Sequence, residues 1–257
     1  MQDLFKQNQD YWINRAPGYS DVNKEELTGI QKDTWSSFLI DEIDTHFNNR
    51  QRDTIKILDV GAGPGFLSII MAKAGYQVTA FDFAETMIAE ARSNAGPIAS
   101  QITFVKGDAM DLPFEEASFD VVISRNLTWN LPDPKRAYVS WLKVLKPQGL
   151  MMVFDANWYG YLVDESKRAA YDMDRAHVKD ANLEDYNIGA DFDRMEEIAL
   201  NLPMTREIRP KWDEVFLNSI SAGEVTSICD IGSRLYSEKE MINYSSTPLF
   251  MVRVVKG

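Results

Sequence analysis

Ile57-Leu58-Asp59-Val60-Gly61-Ala62-Gly63-Pro64-Gly65-Phe66-Leu67 opens as an apolar run and closes on three alternate glycines and an apolar helix start. A buried strand feeding a glycine turn and a helix is how α/β proteins bring backbone close to a nucleotide-like ligand. The residues narrow the ligand. Phe66 stands where the dinucleotide fingerprint G-x-G-x-x-G needs its third glycine, the one that lets the helix approach a pyrophosphate. No Lys-Ser/Thr pair follows, so the loop is not a phosphate-cradling P-loop. Asp59, two residues before the first glycine, would repel a phosphate and suits a ligand carrying an ammonium group.

Outward from this stretch, short apolar runs alternate with amphipathic ones. Ile55 to Val60 reads as a strand and Phe66 to Ala74 as a helix ended by Gly75. Gln77 to Phe81, Ile102 to Lys106, Phe119 to Ser124 and Leu150 to Asp155 read as four further strands. Helices are expected over Ala84 to Ser93 and over Asp133 to Leu145, the latter with Pro134 in its first turn and stopped by Lys146-Pro147-Gln148-Gly149. Apolar strands alternating with helices imply a parallel sheet covered on both faces. Upstream, Glu25 to Phe47 has helical spacing, preceded by an aromatic segment, Tyr11 to Ser20, that Pro17-Gly18 is expected to break. After Asp155, residues 160–203 read as charged helices with thin apolar stripes, either a solvated insertion or a lid. Pro210 to Asn218 reads as another helix, and Glu224 to Ile231 and Leu249 to Val255 as two closing strands of an antiparallel edge hairpin.

Composition bounds the partners. The chain has 257 residues, 45% of them hydrophobic, enough for one large core. Its 27 basic and 39 acidic residues give a formal charge of −12, which disfavours nucleic acid and anionic membrane surfaces. Cys229 is the single cysteine, which excludes an intrachain disulfide and fits a reducing compartment. Met1 to Asp10 is polar without the apolar centre of a signal peptide, and no apolar run approaches the roughly 18 residues of a membrane span. A cytoplasmic protein is expected.

Two more aspartates stand where a nucleoside needs them. Asp82 ends the second strand, about 20 residues past the glycines, where an acid accepts the protons of ribose hydroxyls; it could equally cap the next helix. Asp108, in Lys106-Gly107-Asp108-Ala109-Met110, could accept from an adenine amino group beside apolar walls from Met110 and Leu112, or simply hold a turn.

Five blocks in this order, Leu58 to Gly65, Phe81 to Met87, Gly107 to Phe114, Phe119 to Val122 and Val144 to Gly149, give residues 55–155 a pattern that resembles the class I S-adenosylmethionine-dependent methyltransferases of the small-molecule, UbiE-like type. Gln148 departs from the glycine common there, in a turn. The resemblance implies an α/β fold, a Rossmann-like doubly wound seven-stranded mostly parallel sheet with an antiparallel edge hairpin, an N-terminal helical cap and a helical insertion after strand five. One domain is then expected over 1–257, with the cap in 1–50, the cofactor-binding core in 51–159, the insertion in 160–220 and the closing strands in 221–257.

The resemblance also implies roles. S-adenosyl-L-methionine would be the cofactor. Gly61, Gly63 and Gly65 would lie against its methionine portion, and Asp59 would hold that loop and face its ammonium group, directly or through water. Asp82, with Phe83 and Met87 in the same block, would bind the ribose side, and Asp108, Ala109 and Met110 the adenine. Ser124 or Arg125 would sit under the sulfonium, while Tyr11 and Tyr19 either fold over the cofactor or pack in the core. The acceptor would enter beyond the fourth and fifth strands. Asp155 is the first choice for base or polarising group, with Asn157 and Arg125 beside it, or it serves only as a capping residue. Asn126, Trp129, Asn130, Trp158 and Tyr159 would orient the acceptor, with His177 reaching in from the insertion.

No metal is expected. No Cys/His cluster has zinc spacing, and a magnesium site on Asp155 and Asn157 lacks its partner acid where Arg125 and Asn126 stand. A small-molecule acceptor fits better than a nucleic acid, because the Asn/Asp-Pro-Pro-aromatic tetrad that grips a flipped base is replaced by Ser124-Arg125-Asn126-Leu127. A monomer or homodimer is expected. The competing readings are an NAD(P)-dependent oxidoreductase, against which Phe66 speaks, and a non-catalytic S-adenosylmethionine-binding protein, against which the polar loops 125–130 and 155–159 speak.

Overall fold

A computed structural model describes residues 2–188 and 190–257. Seven strands form one sheet in the order β3-β2-β1-β4-β5-β7-β6, with β1 Lys56–Val60, β2 Gln77–Asp82, β3 Ile102–Lys106, β4 Phe119–Arg125, β5 Leu145–Asp155, β6 Gly223–Ile228 and β7 Phe250–Lys256. β1 to β5 run parallel, and β7 is antiparallel to both β5 and β6. This is the expected mostly parallel sheet with an antiparallel edge. β6 and β7 are not joined by a tight turn, however. Residues 229–249 between them carry α9 Gly232–Leu235 and α10 Glu238–Asn243. Lys146-Pro147-Gln148-Gly149 belongs to the start of β5, where the pairing with β4 shifts register and Gln148 takes a φ of 59°.

Strand alternation sorts the side chains into two cores. Ile57, Val121, Ile123, Met152 and Phe154 face α2 Ile30–His46 and α3 Phe66–Lys73, packing with Trp35, Leu39 and Ile69. Leu58, Val60, Val122, Met151 and Val153 face α5 Pro134–Val144 and α8 Lys211–Ser219, packing with Tyr138, Trp141 and Leu217. Helix α4 Glu85–Ala95 covers β2 and β3 and buries Ala95 in the first core. Helix α5 starts as its sequence dictates: Pro134 occupies the first turn and the Asp133 side chain accepts from Arg136 N at 3.0 Å.

One expectation fails in the N-terminal segment. Helix α1, Gln2–Thr28, runs through Pro17 and Gly18 without a break. Proline removes the hydrogen bond to the carbonyl four residues earlier. That carbonyl, on Ile13, accepts instead from Thr86 Oγ1 on α4 at 3.4 Å, so tertiary packing offsets the lost bond. Helices α6 Glu165–Asp180 and α7 Ala190–Ala199 follow β5, and a third cluster, largely aromatic, binds this insertion to α1 through Tyr11, Trp129, Tyr159, Tyr161 and Tyr171.

Candidate functional site

The carboxyl ends of β1, β2 and β4 open into a cavity of about 780 Å³, its mouth included, floored by the glycine loop and roofed by α1. Gly61, Gly63 and Gly65 all take positive φ, 71°, 52° and 95°. At Gly61 a side chain would also collide with Leu127, 2.7 Å from the position of an added Cβ. At Gly65 it would meet the Cβ of Ala91 at 3.0 Å, so this glycine serves the close approach of α3 to α4. Gly61 and Gly63 line the cavity; Gly65 lies behind them. Phe66, in the place of a fingerprint glycine, is buried edge-on against Trp35, 6.3 Å between ring centroids.

Asp82 lines the cavity, and instead of capping α4, whose N-cap is Ala84, it braces the turn ahead of that helix and the glycine loop. Its Oδ2 accepts from Gly63 N and its Oδ1 from Ala84 N, both at 2.9 Å. One interaction on each oxygen leaves further lone pairs for hydroxyl donors. Burial pushes its carboxyl up to about 6, against the pull of the Ala84, Gly63 and Phe83 N–H groups. Phe83, Met87, Asp108 and Ala109 continue the wall. Asp108 Oδ1 accepts from Met110 N at 2.8 Å, and Trp141 Nε1 donates to Ala109 O at 2.7 Å, fixing that turn. Met110 itself points into the α5 core.

Asp59 requires a correction. It does not line the cavity. Strand parity places it with Ile57 on the α3 face, where Oδ2 accepts from Ser68 Oγ at 2.6 Å. Burial pushes its carboxyl up to about 7, opposed by the Ser68 hydrogen bonds. Ser124 is likewise occupied, its hydroxyl donating to Val60 O at 2.9 Å on the opposite face. Arg125 does line the cavity, lying over the rings of Trp35 and Phe66 and paired through Nη2 with Glu26 of α1. Asn126, at a φ of 56°, and Asn130 complete that side.

The expected catalytic cluster beyond β5 is a closed structural knot. Asp155 is fully buried and away from the cavity. Its Oδ2 accepts from Thr128 Oγ1 at 2.6 Å, Trp129 N at 2.8 Å and Arg209 Nη1 at 2.7 Å. Its Oδ1 accepts from Ala156 N at 2.9 Å and Trp158 Nε1 at 3.2 Å. No lone pair remains to take a proton from a substrate. Asn157 is spent on Arg209, donating to its carbonyl at 2.9 Å and accepting from its N–H at 3.2 Å. Trp158 packs edge-on to Tyr244, 5.0 Å between centroids, and Tyr159 tilts against Trp129 at the same separation. His177 is exposed on α6 and Tyr11 belongs to the third cluster. None of these four lines the cavity. Arg209, which the sequence reading passed over, organises the knot: its guanidinium also binds both oxygens of Asp213, at 2.9 and 2.7 Å, and Thr128 Oγ1 at 2.6 Å.

What the sequence reading missed in the cavity lies mainly on α1 and in the loop after β4. Asn8, Gln9 and Trp12 line the roof with Tyr19, and Phe81, Leu127, Leu131 and Pro132 complete the apolar wall. Helix α1 is tied down on both flanks. Asn8 Nδ2 donates to Asn130 O at 2.7 Å, and Asn23 Oδ1 accepts from Phe66 N at 3.1 Å, capping α3 in place of Gly65, which has no side chain. Asn94 of α4 donates to Ser20 Oγ and to Pro64 O, both at 3.0 Å, joining helix and glycine loop.

Residues 58–153 match the model of a family described as "Methyltransferase domain". Over 162 residues the chain is 35% identical to the "Ubiquinone/menaquinone biosynthesis C-methyltransferase UbiE" of Roseobacter denitrificans, covering 62% of this chain and 61% of that protein. It is 34% identical to a demethylmenaquinone methyltransferase of Renibacterium salmoninarum, covering 54% of each. The chain thus spans little more than half the length of these curated relatives. Among solved structures, the plantazolicin methyltransferase BpumL covers the whole chain at a TM-score of 0.63 and 13% identity, and 98% of that protein is matched. A putative S-adenosyl-L-methionine-dependent methyltransferase of Methanococcus maripaludis matches 92% of this chain and 91% of its own at 0.55 and 20%. At these identities the likeness shows the fold. The matched segment runs from within β1 to near the end of β5 and includes α3 to α5, while the roof and the insertion lie outside the match.

Proposed function

We propose that the protein is an S-adenosylmethionine-dependent methyltransferase acting on a small molecule. The supporting observation is Asp82. A buried acid at the end of β2 lines the cavity and shares its carboxylate with the glycine loop, an arrangement that suits the vicinal hydroxyls of a ribose. The remaining walls fit the rest of the cofactor. Asp108 and Ala109 face the position of an adenine, and Gly61 and Gly63 leave backbone bare along the position of the methionine chain.

When bound, S-adenosylmethionine supplies an electrophilic methyl group on a sulfonium. This chain's task is to aim an acceptor in line and exclude water. Trp12 and Tyr19 cover the cleft, with ring centroids 5.7 Å apart, and the Asn8–Asn130 contact seals α1 against the loop after β4. Among the described residues, the ionisable groups lining the cavity are Tyr19, Asp82, Asp108 and Arg125. Asp82 and Asp108 are committed to the nucleoside in this reading, and burial pushes the Tyr19 hydroxyl above its usual range. The acceptor is therefore expected to be nucleophilic as bound, with no carboxylate base serving it.

With Asp155 and Asn157 spent on scaffolding, the polar residues at 155–159 no longer speak against a cofactor-binding protein without transfer. One experiment separates the two readings. Purified protein is incubated with methyl-labelled S-adenosylmethionine and fractionated small-molecule extracts. Acceptor-dependent release of S-adenosylhomocysteine is expected; tight cofactor binding with no turnover across all fractions would favour the non-catalytic reading.

A further inference from the structure

At the end of the sheet away from the glycine loop lies a second cavity, about 920 Å³ with its open mouth included, between the C-terminus of α2 and the starts of β4 and β5. Asp120 is the single acid lining it, and its side chain is almost fully buried. Its Oδ2 accepts from Lys56 N at 2.9 Å, which ties β4 to β1. Its Oδ1 pairs with two cations at once, Arg50 Nη2 at 2.9 Å and Lys146 Nζ at 3.0 Å. Burial would raise this carboxyl, but Lys56 N–H, Arg50 and Lys146 hold it below its usual range, so it stays ionised. Two positive charges therefore share one negative charge, a surplus of one in a chain whose formal charge is −12. Donors are in surplus too. Arg50 Nε and Nη1 and two N–H groups of Lys146 have no acceptor among the described residues. The guanidinium is steadied over the Phe47 ring, 4.8 Å from its centroid. Neighbouring acceptors are already taken. The carbonyls of Ile43, Asp44 and Thr45 at the end of α2 accept from Phe47, Asn49 and Asn48 N–H, and Gln148 O accepts from His46 Nε2 at 2.8 Å.

We propose that this cavity is a second ligand site, for a small phosphate-bearing anion held by Arg50 and Lys146. The free Nε and Nη1 edge of Arg50 is a fork that fits two oxygens of one phosphate, and Lys146 adds a point charge. Together they carry more N–H groups than the two oxygens of a carboxylate can use, so a tetrahedral dianion suits them better. Asn48 lines the same cavity and brings an amide N–H to it. Asp120 is a positioning residue: it keeps the two cations side by side and is itself buried beneath them. The acidic remainder of the molecule repels polyanions such as nucleic acid or an anionic bilayer, whereas a small anion feels mainly the local charges. The site is separate from the cofactor cleft. Strand β4 carries Asp120 near its start and Arg125 at its end, one in each cavity, so the anion site stands whatever the cleft binds.

The test is isothermal titration with inorganic phosphate, pyrophosphate and acetate at low ionic strength, on unloaded protein and on protein mixed with excess S-adenosylhomocysteine. Wild type is expected to bind one phosphate or pyrophosphate per chain with a Kd of about 1 mM or tighter, and acetate about 10-fold more weakly or not at all. Arg50→Gln and Lys146→Gln are each expected to weaken phosphate about 10-fold, and added sodium chloride to weaken it in wild type. The proposal is overturned if phosphate does not saturate, if acetate binds as well, or if both variants bind like wild type. It is also overturned if S-adenosylhomocysteine displaces the phosphate, which would place the anion in the cleft. Both substitutions remove a partner of Asp120, so a variant that does not fold is replaced by Asn48→Asp. That change leaves the Asp120 pairs intact and sets a negative charge at the cavity; unchanged phosphate affinity there would equally overturn the proposal. Failure of S-adenosylhomocysteine to bind would count against the cofactor reading alone, and the phosphate titration of unloaded protein would still decide for or against the anion site.

Discussion

The polar residues at the end of β4 and those at the end of β5 look alike in the sequence and do opposite things in the structure. Both sets follow an apolar strand in the place where α/β proteins bind ligands. The Asp155 carboxylate and the groups bonded to it are matched: Arg209, Asp213, Thr128, Asn157 and two backbone N–H groups close on one another. Around Arg125, buried donors and acceptors remain unmatched, on Arg125, Trp12 and Asn8. A closed network stabilises one arrangement of loops, whereas an open one is poised for a ligand. Residue type therefore does not separate scaffold from site here; hydrogen-bond closure does.

The strongest way to break this contrast is to remove Arg209. Arg209→Met strands Asp155 and Asp213 as buried charges and is expected to cost about 3–5 kcal/mol of stability by denaturant unfolding. Near-wild-type stability with lost turnover would make the knot catalytic and erase the distinction. Next comes Asp82→Ala, expected to weaken S-adenosylhomocysteine binding by about 1–3 kcal/mol, the scale of hydrogen bonds to a charged group. Unchanged calorimetric affinity would refute the ribose assignment.

Much of this was legible beforehand. The strand–glycine–helix grammar gave the sheet, because apolar alternation and glycine turns are local signals. Asp82 and Asp108 were legible because strand ends fix their place. The two misplaced aspartates share one cause: parity along a strand was not followed to its end. Asp59 shares the face of Ile57, and Asp155 shares that of Met151 and Val153. Counting by two would have put Asp59 beneath α3 and Asp155 beneath α5. Arg209 carried only the weak local signal of Asp213 four residues on, since its other partners lie 54 and 81 residues away at Asp155 and Thr128. The roof residues Asn8 and Trp12 were equally hidden, because Pro17-Gly18 suggested a broken segment where tertiary contacts sustain one helix.

A subtler effect sharpens the comparison from the acid side. The Asp59 carboxyl is raised in the folded protein to about 7, above its unfolded value, so the folded state holds a proton that the unfolded state has released. Its stabilising contribution is full at pH below about 4 and is lost as pH rises toward 7, with a slope of at most about 1.4 kcal/mol per pH unit. Thermal unfolding of Asp59→Asn against wild type between pH 5 and 8 is expected to show the variant losing less stability than wild type as pH rises. Parallel curves would show that Asp59 is ionised throughout. The smallest effect belongs to His177→Ala. On the exposed face of α6 it should stay within about 0.5 kcal/mol of wild type and leave cofactor affinity unchanged; a loss of turnover would bring the insertion into the acceptor site.

The central claim is that the cavity above Gly61 and Gly63 seats S-adenosylmethionine, with Asp82 on the ribose. Isothermal titration of the wild-type protein with S-adenosylhomocysteine, and in parallel with NADH, tests it most directly. One equivalent of S-adenosylhomocysteine bound per chain, weakened in Asp82→Ala, with no heat from NADH, is the predicted result. Saturable NADH binding with none for S-adenosylhomocysteine would contradict it.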